Sequence, residues 1–313
     1  MYVIENIIRN AEQNKEGLNI LFFSQTSDKY VKSLAKNLNH NFYAIKELGA
    51  SNWSSQIEYP NIKFYNSIKE IPSRSLDCII CFGRGDTYDS ASHVADVFHL
   101  PLIVVDNVCS DMACHRPFFS QLTIEDPRSL FFRTGDIHIG TSDLITKSWS
   151  TQFSSMATTI PYVPEEFKKS TLKKILIDPN LPKQYLQQMQ INLENPIFTH
   201  EIKEAAIYLN FWESINETML ECMKNNIPVI TFASNTMDLK EISEKQCFIV
   251  IDNQQIPNVQ HEGFVDDILK FKSTPQVISS AKKYVDSIKI NFKSCWENVL
   301  NHICGTCYMR ISR

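Results

Sequence analysis

Apolar, β-branched and aromatic residues fall in short runs along this chain, and between most of the runs the apolar positions recur at helical spacing. The first pattern is that of strands buried on both faces, the second that of amphipathic helices. Strands are predicted at Ile20–Phe23, Phe42–Ile45, Ile62–Tyr65, Asp77–Phe82, Leu102–Asp106, Ile137–Gly140 and Thr158–Tyr162. After a break they resume at Lys174–Ile177, Pro196–Phe198, Ile207–Phe211, Pro228–Phe232 and Cys247–Ile251. Helices are predicted at Asp28–Asn37, Tyr88–Phe98, Ser142–Ser148, Lys183–Gln190, Glu217–Asn225 and Leu239–Lys245. The chain is predicted to end in helices around Phe264–Phe271, Gln276–Ser287 and Ile290–His302. Continuous apolar strands alternating with helices indicate parallel sheets covered on both faces, the α/β class.

The break falls at "IPYVPEEFKKSTLKK", where two prolines and a cluster of lysines suit a linker between two α/β halves. A chain of 313 residues is also long for one core. The expected organisation is an N-terminal domain over 1–163, a second over 164–287, and a final segment, 288–313, that completes the first. Open sheets take ligands at the carboxyl ends of their strands, and two that face each other across a central cleft can take one between them.

Composition narrows the function classes. A net charge of −4 gives no general pull toward nucleic acid or anionic membrane. No apolar run reaches membrane-spanning length, and "MYVIENIIRNAEQNKEG" has no signal-peptide core, so a cytoplasmic location is expected. The nine cysteines are odd in number and scattered, and read as reduced packing residues. Cys78 and Cys81 lie in a predicted strand, where residues three apart point to opposite faces. Cys304 and Cys307, in "CGTC", lack a second pair to complete a zinc site and are expected in a frayed tail.

One stretch concentrates candidate chemistry: "NFWESINETMLECMKNNIPVITF", Asn210 to Phe232. Ser214-Ile215-Asn216-Glu217 fits a capping box, with the Ser214 hydroxyl accepting from the Glu217 N–H and the Glu217 carboxylate returning to Ser214. The helix would then start near Ile215 and leave Glu213 in the preceding loop. Its first N–H groups, with the helix dipole, make a site for a diphosphate. An ordinary solvated helix face accounts for Glu217 and Glu221 equally well.

Glu213 and Glu221 are separated by seven residues and followed by "LECMKNNIPVITF". This resembles the E-x7-E motif and "LEAMAxGxPVI" tail of retaining GT-B glycosyltransferases of the family 4 type. The resemblance is clearest from Ile207 to Phe232. "DIHIGTSDLITKSW" and "IPYVPEEF" resemble the last N-domain strand and the interdomain linker of that group, and "FGRGDTYDSASHVADVFHLPLIVVDN" is similar to a segment of its small phage and microbial members. The resemblance implies a GT-B fold of two Rossmann-like domains facing a cleft, with a nucleotide-sugar donor on the C-terminal domain and an acceptor on the N-terminal one. It further implies that the last helix crosses back to pack on the first domain. Glu213 takes the sugar-side role, Glu221 the ribose role, and Ile215 and Asn216 sit where backbone amides approach the donor. The Ser214–Glu217 helix start receives the diphosphate, and transfer proceeds with retention.

Several positions depart from the family pattern. "FFSQTSDKY" replaces a glycine-rich loop, Asn107 stands where a histidine follows "PLIVVD", and Asn226 replaces the glycine before "PVI". Arg84, in "GRGD" after a strand, can reach an anion, and is also an ordinary turn residue. Lys168, Lys169, Lys173 and Lys174 can meet donor phosphate, with Lys174 taken as the donor candidate, though such clusters are usually solvated. His115 beside Arg116, and His138 on a strand, read as structural. No DxD pair follows a strand, so neither metal nor other cofactor is expected, and a helix N-terminus and cationic side chains must stabilise the leaving diphosphate. The acceptor is open: a glycan, a small molecule, a protein or a modified DNA base. One rival reading is a phage-type DNA base glycosyltransferase, which the acidic balance disfavours. Another is a catalytically silent GT-B homologue serving as a binding or partner subunit.

Overall fold

The computed structural model describes residues 17–24, 28–46, 61–71, 76–82, 86–106, 137–143, 145–147, 157–178, 181, 186–187, 191–212, 215–232, 246–251, 261 and 263–311. Two sheets organise them. The first holds β1 (Asn19–Ser24), β2 (Asn41–Ile45), β3 (Ile62–Tyr65), β4 (Cys78–Phe82), β5 (Leu102–Asp106), β6 (Ile137–Gly140) and β7 (Ala157–Thr159), in the order β3-β2-β1-β4-β5-β6-β7. β1 pairs in parallel with both β2 and β4, and β2–β3 and β4–β5 are parallel too. Helices α1 (Asp28–Asn37) and α2 (Asp86–Phe98) follow β1 and β4.

Both faces of this sheet are buried, which is why its strands read as unbroken apolar runs rather than alternating ones. Leu21, Phe23, Ile79 and Cys81 pack with Tyr88, Ala91, Val94 and Ala95 of α2. From the intervening positions Phe22 stacks on Phe42 with ring centroids 4.9 Å apart. Cys78 faces away from Cys81 and lies beside Cys304, as strand geometry requires of residues three apart. β7 stops at Thr159, short of the predicted Tyr162, because Pro161 cannot donate to a ladder.

The second sheet holds β8 (Lys174–Ile177), β9 (Phe198–Thr199), β10 (Ala205–Asn210), β11 (Val229–Phe232) and β12 (Ile249–Ile251), in the order β12-β11-β10-β8-β9. Every pair is parallel. Its core joins Ile175, Ile177, Ile207, Leu209, Phe211 and Ile230 to Val265 and Ile268 of α4 (Phe264–Lys270) and to Val277. Helix α3 (Glu217–Lys224) follows β10.

The two C-terminal helices predicted after Gln276 form one, α5 (Thr274–Ile311). Nothing interrupts the pattern between them: Val285, Ile288, Phe292, Trp296, Leu300 and Ile303 continue a single buried stripe at helical spacing. The backbone stays helical through "CGTC", where a frayed tail was expected; Cys304 is buried, and the Cys307 side chain lies outside the described residues. The predicted helix Leu239–Lys245 also lies outside them, and of Lys183–Gln190 only Leu186 and Gln187 are described, both helical.

By contacts the chain divides into two units. One comprises the described residues of Met1–Asp106, Phe132–Ile139 and Lys293–Arg313, the other those of Asn107–Phe131 and Gly140–Phe292. In the first, Trp296 of α5 is fully buried and packs edge-on against Tyr30 of α1 at 6.2 Å. No helix among the described residues is long and apolar enough to cross a membrane.

Candidate functional site

In the second sheet the chain leaves β8 for β9 on one side and returns to β10 on the other. The carboxyl ends of β8 and β10 therefore flank a topological switch point, where loops diverge and leave a crevice for a ligand. Buried polar side chains gather there. Asp178 directly follows β8, is 5% exposed, and accepts from the Trp212 indole N–H at 3.0 Å. Asn210 closes β10 with its carboxamide turned back on its own chain. Its Nδ2 donates to the Trp212 carbonyl at 2.8 Å, and its Oδ1 accepts from the Trp212 N–H at 3.3 Å. This side-chain turn redirects the backbone at the strand end. The Tyr208 hydroxyl donates to the same Oδ1 at 3.4 Å. Burial, reinforced by the Asp178 carboxylate, pushes that phenol well above its ordinary pKa. On β11, Thr231 stands in register with Asn210, is 3% exposed, and its hydroxyl has no hydrogen-bond partner among the described residues.

Helix α3 rises from this edge. Its cap is Asn216, whose Oδ1 accepts from the Met219 N–H at 2.8 Å, and the first helical residue is Glu217. The capping box expected from Ser214 to Glu217 is thereby corrected. Asn216 is an equally good cap two residues later, and it places Glu217 at the first helical position, where its carboxylate meets the positive end of the dipole instead of returning to a cap N–H. Ile215 before the cap and Leu220 four residues beyond it are both buried, the pattern of a hydrophobic staple. Ser214 and Glu213 lie outside the described residues, as do Arg84, Asn107, His115 and Arg116.

Glu221 is one turn into α3 and half-buried. The Tyr162 hydroxyl donates to its Oε1 at 3.3 Å. Tyr162 is 2% exposed; burial first, then the Glu221, Glu217 and Glu165 carboxylates, hold its pKa well above the ordinary phenol value. The segment expected to be a linker is strapped to α3 beyond this point. Asn225 accepts from the Phe167 N–H at 2.9 Å and donates to the Glu165 carbonyl at 2.9 Å. Lys224 bridges Glu166 at 3.1 Å and Asp286 at 2.9 Å, and Lys169 donates to the Asn226 carbonyl at 3.1 Å. Asn226 itself has a φ of 55°. The Ile227 N–H returns to the Cys222 carbonyl at 2.9 Å and the Asn226 N–H to that of Met223 at 3.3 Å, a Schellman close to the helix.

Lys174 is not part of this arrangement. It opens β8 in register with Ala205, at the amino end of both strands, and is ion-paired with Glu204 at 2.8 Å. A ligand at the carboxyl ends is a strand length away. Lys173 pairs with Asp266 at 2.6 Å, and Lys168 is exposed. His138 is buried on β6, consistent with a structural role. Among the described residues, no cluster of three or more His, Cys, Asp or Glu side chains could hold a metal ion.

Sequence reading thus located α3 and Glu221 but missed Asp178, Asn210, Trp212 and Tyr162. Asp178 had a usable signal, an acidic residue closing the apolar run "KILID". Tyr162 had none, because its partner is 59 residues away. Chemically, the edge offers the positive end of α3 for an anion, and a carboxylate one turn further that can accept from hydroxyls.

No family model matches the chain, and no curated protein matches it in sequence. Solved structures do. A glycosyltransferase of Rickettsia africae superposes with a TM-score of 0.55 at 10% identity, over 92% of this chain and 99% of that one. Anabaena HepE, solved in complex with UDP, gives 0.56 at 10% identity, over 90% and 99%. UGT89C1 of Arabidopsis thaliana, complexed with quercetin, gives 0.53 at 9% identity, over 94% and 100%. These likenesses establish the fold: two parallel-sheet, Rossmann-like α/β domains of the GT-B type.

Proposed function

We propose that this chain is a glycosyltransferase that moves a sugar from a nucleotide-sugar donor to a hydroxyl-bearing acceptor, with retention at the anomeric carbon and without a metal ion. The observation that carries the reading is the switch point between β8 and β10, with the start of α3 beside it and Glu221 one turn along. The donor diphosphate meets the first N–H groups of α3, and the ribose hydroxyls donate to Glu221. Glu213, in the loop before the cap, lies on the sugar side, with Ile215 and Asn216 offering backbone amides; Arg84 and Asn107 are the further catalytic candidates. The bond broken joins the anomeric carbon to the diphosphate oxygen, which leaves with the electron pair; the acceptor oxygen forms the new bond to that carbon, and its proton passes to the departing diphosphate. The positive end of α3 stabilises the departing charge. The GT-B fold and the UDP held by the Anabaena neighbour support a nucleotide donor. The site lies in a chain that works in the cytoplasm, and the acceptor is a glycan, small molecule, protein or modified base.

Thermal shift against UDP-, GDP- and ADP-sugars is the first test, since a ligand of the folded state raises its apparent stability by mass action. The donor that stabilises should then be consumed, with its nucleoside diphosphate released, equally well with and without EDTA. Turnover that needs added manganese or magnesium would remove the metal-free mechanism. Stabilisation by a donor that no acceptor or water ever consumes would favour the silent homologue. In Glu221→Ala, nucleoside diphosphate binding should weaken about ten- to a hundredfold at unchanged fold, the loss of a charge-assisted hydrogen bond.

A further inference from the structure

We propose that Tyr162 is a positioning residue for nucleotide recognition, its phenol orienting the Glu221 carboxylate toward the ribose; this rests on the ribose role given to Glu221 above. Three observations carry it. The Tyr162 hydroxyl donates to Glu221 Oε1 across a sequence separation of 59 residues. Both ends of that bond are held. Tyr162 is buried three residues beyond the end of β7, and the chain that follows it is strapped to α3 by both polar ends of the Asn225 carboxamide. Asn225 also donates to the Glu221 carbonyl at 2.9 Å, so one residue fixes the backbone of Glu221 and of the segment that carries Tyr162.

The phenol keeps its proton. Burial and the carboxylates of Glu221, Glu217 and Glu165 all oppose a phenolate, so Tyr162 remains a donor throughout the working pH range. A half-buried glutamate side chain still has several rotamers, and fixing one of them removes entropy that ribose binding would otherwise have to supply. At 3.3 Å the contact is long for O–H···O, and hydrogen bonds of this kind often tighten on ligand binding.

The test is Tyr162→Phe, which keeps the buried ring and removes only the hydroxyl. Calorimetry would compare UDP, GDP and ADP with their 2′,3′-dideoxy analogues, in the parent, Tyr162→Phe, Glu221→Ala and the double variant. The parent should prefer the ribonucleotide, and Tyr162→Phe should reduce that preference about three- to tenfold while leaving dideoxy affinity unchanged. Glu221→Ala should abolish the preference, and the double variant should lose nothing further, because the phenol acts only through that carboxylate. A Tyr162→Phe protein that melts lower but keeps the full ribose preference would reduce Tyr162 to packing and overturn the proposal. Loss of preference in Glu221→Ala alone would leave the glycosyltransferase reading standing without it. A parent that binds none of these nucleotides, or binds both sugar forms equally, would remove the reading and the proposal together.

Discussion

Asn226 shows how a departure from a family pattern can conserve the physics behind it. The resemblance expects glycine there, and the structure gives the reason: the residue after the α3 cap has a φ of 55°, in the left-handed region. Asparagine is the next best occupant, since its short polar side chain tolerates that conformation. Asn226→Gly should therefore leave stability unchanged or raise it by up to about 1 kcal/mol. Asn226→Val should cost about 1–2 kcal/mol, the penalty of a left-handed residue with a branched side chain. Urea unfolding of both variants checks this, and equal midpoints for glycine and valine would mean that the helix end relaxes to another conformation. Gly140 is a second such position for a different reason. A Cβ there would meet the Thr146 backbone nitrogen at 2.7 Å, and its Oγ1 as well, closer than real Cβ contacts come. With eight glycines in the chain, backbone close approach is used sparingly, and these two sites explain why one of them can be replaced and the other cannot.

Helix α3 separates what was legible in the sequence from what was not. Its existence, its apolar residues and its first residue, Glu217, follow from local pattern, as do nearly all strands of both sheets; its end at Lys224 falls one residue before the predicted Asn225. Its cap does not follow from that pattern, because Ser214 and Asn216 are both good caps. The choice is testable. Asn216→Ala should destabilise the protein by about 1 kcal/mol (range about 0.5–2), through loss of the bond to Met219. Glu217→Ala should cost less, about 0.3–1 kcal/mol, because it removes a charge from the positive end of the dipole and no reciprocal cap. The reverse order of effects in chemical denaturation would restore the Ser214 box. The same limit explains the missed site residues: Asp178 and Trp212, or Tyr162 and Glu221, meet only once β8, β10 and the strap along α3 are assembled. Local pattern also divides α5 in two, although its buried stripe never breaks.

At the scale of the molecule, the first unit carries a titrating tie and the second the proposed ligand. His40 accepts from the Leu18 N–H through Nδ1 at 3.1 Å and faces Glu297 of α5 through Nε2 at 3.3 Å, with Asp77 and Lys293 also near. Burial lowers its pKa despite the Glu297 carboxylate. The unfolded chain then takes up this proton more readily than the folded one. The stability contribution is full above about pH 6.5 and is lost as pH falls from there to the lower folded value. Asp77, whose pKa burial raises, works in the opposite sense, favouring the folded state as pH falls. The His40 part should appear as a flatter pH dependence between about pH 7 and pH 5 in His40→Asn, read from denaturant midpoints; parallel curves would refute it. The last prediction concerns where the nucleotide acts. The switch point, the α3 N-terminus and Glu221 all belong to the second unit, whereas Lys174, now placed at the amino end of β8, contributes nothing to that edge. A nucleoside diphosphate lacking any sugar or acceptor should therefore slow amide exchange over residues 205–232, most at the first turn of α3, where N–H groups gain a phosphate partner. Peptides from β1 through β5 should exchange as they do without ligand. Protection confined to β1 through β5, with α3 unchanged at saturating UDP, GDP or ADP, would move the nucleotide to the first unit and reverse the assignment of donor and acceptor halves.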